Sequence, residues 1–94
     1  MAGLGPLLAE LAASDAHARR RAARGLAALG DRRAVPALIA ALDDADPAVR
    51  YEAVVALDVL DDPAALPSLI RVGRTDPAQD VRDAALRIIP RMAW

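Results

Sequence analysis

An internal repeat of 31 residues constrains the fold of this chain more than any other feature of its sequence. Residues 12–42 align with residues 43–73, and ten of the 31 aligned positions are identical. Beyond residue 73 the offset between matching positions grows to 32. A fixed period of this length is typical of a chain made of one small structural unit that stacks on copies of itself. The identical pairs are Asp15/Asp46, Arg19/Arg50, Ala22/Ala53, Leu26/Leu57, Leu29/Leu60, Asp31/Asp62, Ala34/Ala65, Pro36/Pro67, Leu38/Leu69 and Ile39/Ile70.

Each unit contains two helical patterns of apolar residues. In the longer pattern, called A, apolar residues recur at i, i+4, i+7, i+8 and i+11, as in residues 49–60. In the shorter pattern, called B, the spacing is i, i+3, i+4 and i+7, as in residues 35–42. An excess of Ala and Leu over aromatic residues also favours helices over strands. The sequence therefore predicts short B helices at about 5–13, 33–42 and 64–73, and long A helices at 16–29, 47–60 and 77–89 or beyond.

Aspartate and proline mark the predicted helix starts. Asp46, like Asp15 one unit earlier, is placed to cap an A helix, because its carboxylate can accept the free N–H groups of the first turn. Pro47 then opens the helix without losing a hydrogen bond. The pairs at residues 62–63 and 76–77 repeat this signal, and they predict starts for the following B and A helices.

Glycine and proline mark the predicted helix ends. Gly30 suits the left-handed position that follows a helix, and Asp61 takes its place in the next unit. Pro90 lies inside the last A pattern, where it removes a hydrogen bond to the carbonyl of Leu86. We expect the last helix to kink or stop near Ile89, with residues 91–94 folding back over the end.

These residues resemble the HEAT-like repeats of the phycobilisome-lyase type. Residues 43–73 carry the Asp, Val-Arg, Ala, Leu and Pro positions of that pattern, and residues 30–42, "GDRRAVPALIAAL", match its second half almost word for word. The resemblance implies an all-α fold, a right-handed α-solenoid (α-α superhelix) of about three HEAT-like helical hairpins, with A helices on the convex side and B helices on the concave side. It also implies an Asp–Arg ladder within or between repeats, with the members Asp15, Arg19, Asp46, Arg50, Asp76 and Arg82.

One repeat domain is expected to occupy residues 1–94, because this length suits a single domain. The predicted repeat units are residues 1–13 (partial), 14–43, 44–73 and 74–94 (partial). The chain lacks Cys and a basic, signal-like start, which is compatible with the predicted cytoplasmic location. It also lacks an apolar run long enough to cross a membrane, so no membrane role is predicted.

Equipment for catalysis is scarce in the sequence. There is no Cys and no Lys, and His17 is the only His. The few hydroxyl groups form no nucleophile–base pair at a recognisable spacing, and no glycine-rich phosphate loop is present. We therefore predict no catalytic residues, no cofactor, no metal site and no enzyme activity.

The charge is unevenly distributed, although the net charge is only −1. Residues 1–42 carry 6 Arg and 3 acidic residues, or +3, whereas residues 43–94 carry 6 Arg and 10 acidic residues, or −4. The Arg-rich segment from Arg19 to Arg33 is the one candidate for binding a nucleic-acid backbone. The net charge and the lack of stacking aromatic residues argue against that function.

The sequence favours a protein–protein interaction module or scaffold. If the B helices line the concave side, their positions away from the core form a smooth, weakly polar surface for a helix or strand of an unknown partner. The open ends of the solenoid also predict self-association or a larger parent assembly, because the end helices lack strongly polar outer faces. The family resemblance leaves a bilin lyase or isomerase role as an alternative. The candidate partner-binding residues are Ala37, Ala40, Ala41, Ser68, Arg71 and Val72.

Overall fold

The computed structural model describes residues 3–93, and every regular element in that range is helical, which confirms the all-α prediction. Short 3-10 turns at Arg32–Ala34 and Pro63–Ala65 lead into the third and fifth helices. No helix in the described range is long and apolar enough to cross a membrane. The six α-helices are α1 (Leu4–Glu10), α2 (Ala16–Leu29), α3 (Val35–Ala41), α4 (Pro47–Leu60), α5 (Leu66–Thr75) and α6 (Gln79–Ala93).

The helices form a solenoid of three hairpins, as predicted. Each short helix packs against the long helix that follows it, which gives hairpin 1 (α1 and α2), hairpin 2 (α3 and α4) and hairpin 3 (α5 and α6). The long helices α2, α4 and α6 lie side by side in one layer, and the short helices form the other. The hairpins differ in phase from the predicted units that begin at residues 14 and 44. In each hairpin the short helix comes first, whereas in each predicted unit the long helix comes first.

One continuous core lies between the two layers. Its largest members come from both layers and from all three hairpins, so no hairpin has a separate core. Each fully buried Leu contributes roughly 1.5–3 kcal/mol to folding. The largest fully buried side chains are Leu26, Leu38, Leu42, Leu57, Leu69, Val49, Val54, Val72 and Val81.

Two of the three predicted A-helix caps form. The carboxylates of Asp15 and Asp46 accept hydrogen bonds from the N–H groups of His17 and Ala48, at 3.1 and 2.8 Å. The third prediction, a start at Asp76 and Pro77, is wrong because α6 begins at Gln79. The offset of 32 residues places Asp76 in register with Asp44, two positions before the N-cap.

The helix ends agree with the sequence at Gly30 and Asp61 and disagree at Pro90. Gly30 and Asp61 both take the left-handed conformation, with φ of 70° and 51°. The helix α6 continues through Pro90 to Ala93, so it does not stop near Ile89. Pro90 and Leu86 are both exposed, and the carbonyl that Pro90 leaves unbonded therefore lies on the solvent side of the helix.

Candidate partner-binding surfaces

An ion pair joins hairpin 1 to the loop of hairpin 2. The Nε and Nη2 atoms of Arg19 donate to the two carboxylate oxygens of Asp44, at 2.8 and 3.1 Å. The Nη1 atom of Arg19 donates to the carbonyl oxygen of Ala13 at 2.8 Å, which holds the guanidinium against its own loop. The two side chains are only 17% and 12% exposed, so this contact is part of the hairpin interface.

The same arrangement joins hairpin 2 to hairpin 3. Arg50 donates to the carboxylate of Asp76 at 2.9 and 3.2 Å and to the carbonyl oxygen of Asp44 at 2.8 Å. The Asp–Arg ladder of this chain therefore consists of Arg19–Asp44 and Arg50–Asp76. Asp15 and Asp46, which were predicted as ladder members, cap their helices instead.

Asp44 is the ladder residue that the sequence analysis missed. Its match to Asp76 at the offset of 32 was the available signal. Burial opposes the ionisation of Asp44, but the hydrogen bonds from Arg19 and from the N–H of Asp46, with the charges of Arg19 and Arg50, outweigh it and lower its pKa. The hydrogen bond to Asp44 also raises the pKa of Arg19 above its already high ordinary value. Both groups are therefore charged at neutral pH.

The Arg-rich segment is engaged in contacts within the protein. Arg20 and Arg24 on α2 both donate to Glu52 on α4, at 3.3 and 2.6 Å, and Glu52 is only 8% exposed. Arg32 donates to the carbonyl oxygen of Leu60 at 3.1 Å and so satisfies the end of α4. These contacts use the Nε atoms of Arg20 and Arg24 and leave their side chains 41% and 60% exposed.

The remaining two Arg residues of this segment form exposed pairs. Arg33 pairs with Asp31, whose pKa is lowered chiefly by the hydrogen bond from the Arg33 side chain. Arg21 lies 3.7 Å from Glu10, and both side chains are well exposed. Exposed pairs of this kind are worth little to stability, and the Arg side chains stay accessible to solvent.

A shallow groove of about 280 Å³ lies between α1 and α3 in the short-helix layer. It brings together three of the predicted partner-binding residues, Ala37, Ala40 and Ala41. The opposite wall comes from α1 and the turn after it. Apart from one carboxylate, that of Asp44, the lining residues are apolar. They are Leu8, Leu11, Ala12, Ala37, Ala40, Ala41 and Asp44.

The predicted residues on α5 do not line this groove. Val72 is 1% exposed and belongs to the core, so its assignment to the partner surface is wrong. Leu86 of α6 lies against Gly73, where a Cβ atom would be only 2.9 Å from it, so α5 and α6 approach closely at this point. Ser68 is half-buried, and Arg71 is exposed and pairs with Asp43 at 3.1 Å.

A second cleft, of about 430 Å³, lies between α4 and α6 in the long-helix layer. Tyr51, Val54 and Val55 line its α4 side, and Asp58 pairs with Arg91 at one end. The sequence predicted no binding site in this cleft. Two apolar side chains are exposed in or near this cleft: Val55 is 36% exposed and nearby Val59 is 57% exposed.

The hairpins, the ladder and the repeat together describe a known class of helical repeat. A family model for HEAT repeats matches residues 4–89. The chain belongs to the HEAT-repeat family. A search of curated proteins found no match for this HEAT-repeat chain.

Among solved structures, the HEAT-repeat chain is similar to human deoxyhypusine hydroxylase, determined in complex with glycerol. The two share 28% sequence identity, with a TM-score of 0.83. The similarity covers 99% of this chain and 34% of the hydroxylase chain. The chain therefore spans about a third of the length of that enzyme.

Proposed function

We propose that this chain is a non-catalytic interaction module that binds a segment of another protein in the groove between α1 and α3. HEAT repeats commonly mediate protein interactions. The groove itself is the observation that carries the proposal, because it collects three predicted binding residues beside the apolar side chains of Leu8 and Leu11. Its only carboxylate, that of Asp44, is already paired with Arg19.

The lining of the groove supports an apolar helix or strand as the bound segment. The Ala side chains of α3 leave room for the backbone of a partner to approach closely, and Leu8 and Leu11 supply apolar area on the other side. Burial of such area contributes roughly 25 cal/mol per Å². Helices with apolar residues at i, i+3, i+4 and i+7 are the usual occupants of grooves of this kind.

Catalysis is not part of the proposal, although the human neighbour is a hydroxylase. The chain spans only 34% of that enzyme. Within residues 3–93 there is no group of three or more His, Cys, Asp or Glu side chains that could hold a metal ion. The only His of the chain, His17, is exposed in the first turn of α2.

Two other functions that were predicted as alternatives gain no specific support. A bilin lyase or isomerase role rests on the phycobilisome-lyase type of repeat, and no feature of the described residues favours that subtype over other HEAT repeats. Nucleic-acid binding through residues 19–33 competes with the pairing of Arg19, Arg20 and Arg24 to carboxylates of hairpin 2.

The groove can be tested by affinity purification from the source cells followed by mass spectrometry. The bait proteins are the wild type, Ala40→Arg in the groove, and Ala28→Arg on the exposed side of α2 as a matched control. We expect proteins retained by the wild type and by the control to be lost with Ala40→Arg. Equal retention by all three baits would show that the groove is not the binding surface.

A further inference from the structure

Arg82 of α6 is held in the same way as the two ladder arginines. Its Nη1 atom donates to the carbonyl oxygen of Asp76, six residues earlier, at 2.7 Å. Arg19 and Arg50 make the equivalent bonds to the carbonyl oxygens of Ala13 and Asp44, each at 2.8 Å. The guanidinium of Arg82 is thus fixed against its own loop, in the same way as the guanidinium groups of Arg19 and Arg50, which both form ladder pairs.

The remaining donors of Arg82 distinguish it from the other two arginines. Arg19 and Arg50 each present Nε and Nη2 to a carboxylate in the loop of the following hairpin. Within residues 3–93, no carboxylate lies at ion-pair distance from Arg82, and its Nε and Nη2 make no hydrogen bond. Two donors of Arg82 are therefore without a protein partner in this range, although its guanidinium is held by the bond to Asp76.

The apolar surface beside Arg82 shows the same incomplete pattern. Leu86 occupies the position of Val54 at the offset of 32, but Leu86 is 51% exposed whereas Val54 is fully buried. Ile89 corresponds to the fully buried Leu57 and is only partly buried. The side of α6 that would face a following hairpin therefore keeps apolar side chains open to solvent.

We infer that this side of hairpin 3 docks a further helical hairpin of the same repeat type, whose loop presents an aspartate to Arg82. The face consists of Arg82, Leu86 and Ile89 and is separate from the groove between α1 and α3. The docked hairpin continues the interface that already joins hairpins 1, 2 and 3. Its aspartate stands two residues before the N-cap of its long helix, as Asp44 does before Asp46.

A second wild-type copy of this chain does not meet that requirement. Its first hairpin has the correct helices, but Ala13 stands at the position that aligns with Asp44. Head-to-tail contact between two copies would therefore place a methyl group where Arg82 needs a carboxylate. The complementary partner is therefore a hairpin of another polypeptide segment that carries an aspartate in its loop.

Ala13→Asp turns the first hairpin of the chain into a probe of the proposed chemistry. Asp44 stands at the aligned position of hairpin 2, so this loop can hold the new carboxylate. We expect Ala13→Asp to associate head-to-tail in sedimentation experiments at low salt, with a dissociation constant at least about tenfold below that of the wild type. The double variant Ala13→Asp/Arg82→Gln should return to wild-type behaviour.

Ser14→Asp is the charge-matched control, because it adds the same carboxylate one residue away, at the position of Ala45. Circular dichroism and thermal unfolding show whether each variant stays folded. Three results would overturn the inference: no gain for Ala13→Asp, an equal gain in the Arg82→Gln background, or an equal gain for Ser14→Asp. Wild-type association as tight as that of Ala13→Asp, and dependent on Arg82, would also overturn it and would assign the face to a second copy.

Discussion

At the scale of single residues, the role of an aspartate depends on its distance from the helix that follows. Asp46 borders α4, and its carboxylate accepts the N–H of Ala48 in the first turn of that helix. Asp44 lies two residues earlier, where its carboxylate meets Arg19 of the preceding hairpin. Asp76 repeats the position of Asp44 and pairs with Arg50. An aspartate that borders the helix caps it, and an aspartate two residues earlier joins two hairpins.

Acid will weaken the contact that Asp44 makes between hairpins 1 and 2. Because the pKa of Asp44 is lower in the folded chain, its contribution to stability is fully present above about pH 4 and is lost as the pH falls further. We expect the unfolding free energy of the wild type to fall as the pH drops below about 4. Asp44→Asn starts lower at neutral pH and loses less stability below that pH.

Urea denaturation at each pH measures this effect. Asp83→Asn is the matched control, since Asp83 is exposed and its carboxylate makes no hydrogen bond within residues 3–93. The control should follow the wild-type pH dependence. If Asp44→Asn also lost stability with the wild-type slope, the pKa of Asp44 would not be linked to folding.

At the scale of elements, the two long helices α2 and α4 end in the same left-handed conformation with different residues. Gly30 adopts φ of 70° without a side-chain penalty, whereas Asp61 adopts φ of 51° with a Cβ atom. Both N–H groups bond to the carbonyl four residues earlier, so the two ends are otherwise alike. Comparing Gly30 with Asp61 therefore isolates the free-energy cost that a Cβ atom adds in the left-handed conformation.

Asp61→Gly should raise the unfolding free energy by about 0.5–1 kcal/mol, because glycine removes the strain of the left-handed conformation. Gly30→Ala should lower it by about 1 kcal/mol for the same reason. No atom lies within 4 Å of the Cβ that Gly30→Ala adds, so steric overlap does not contribute. Chemical denaturation measures the unfolding free energy of both variants. Changes of the same sign in the two variants would contradict the explanation.

Much of the element layout was predictable, because caps and apolar spacing are local properties of the sequence. The helices, the caps at Asp15 and Asp46 and the left-handed residues followed from such local signals. The burial of Val72 did not, because it depends on how the helices pack into the shared core. The continuation of α6 through Pro90 depends on which side of the helix faces solvent. Both are properties of the packed chain.

At the scale of the whole molecule, each hairpin contacts its neighbour along the chain and the stability is shared through those contacts. The layer of long helices places α4 between α2 and α6. The ladder adds one ion pair at each of the two interfaces, on the loops at the helix starts. Loss of one ladder pair should therefore loosen one interface while the other is kept.

Arg50→Gln tests this division between interfaces. The carboxylate of Asp76 is 4% exposed, and without Arg50 it loses a charged partner, so we expect a loss of about 1–3 kcal/mol. Native-state hydrogen exchange should show reduced protection in α5 and α6 before α2 is affected. Arg87→Gln, at an exposed position of α6, is the control. Uniform loss of protection across all helices would show that the hairpins unfold as one unit.

The chemical difference between the two interfaces of the long-helix layer protects the chain against slipping by one repeat. Helices of similar sequence could exchange places, with α2 lying against α6 instead of α4. Arg20 and Arg24 require the carboxylate of Glu52, and α6 offers Ala84 at the aligned position. The mispaired arrangement would leave a cationic surface against an apolar one, with Glu52 unmatched, so the order of the hairpins is encoded in side-chain chemistry as well as in connectivity.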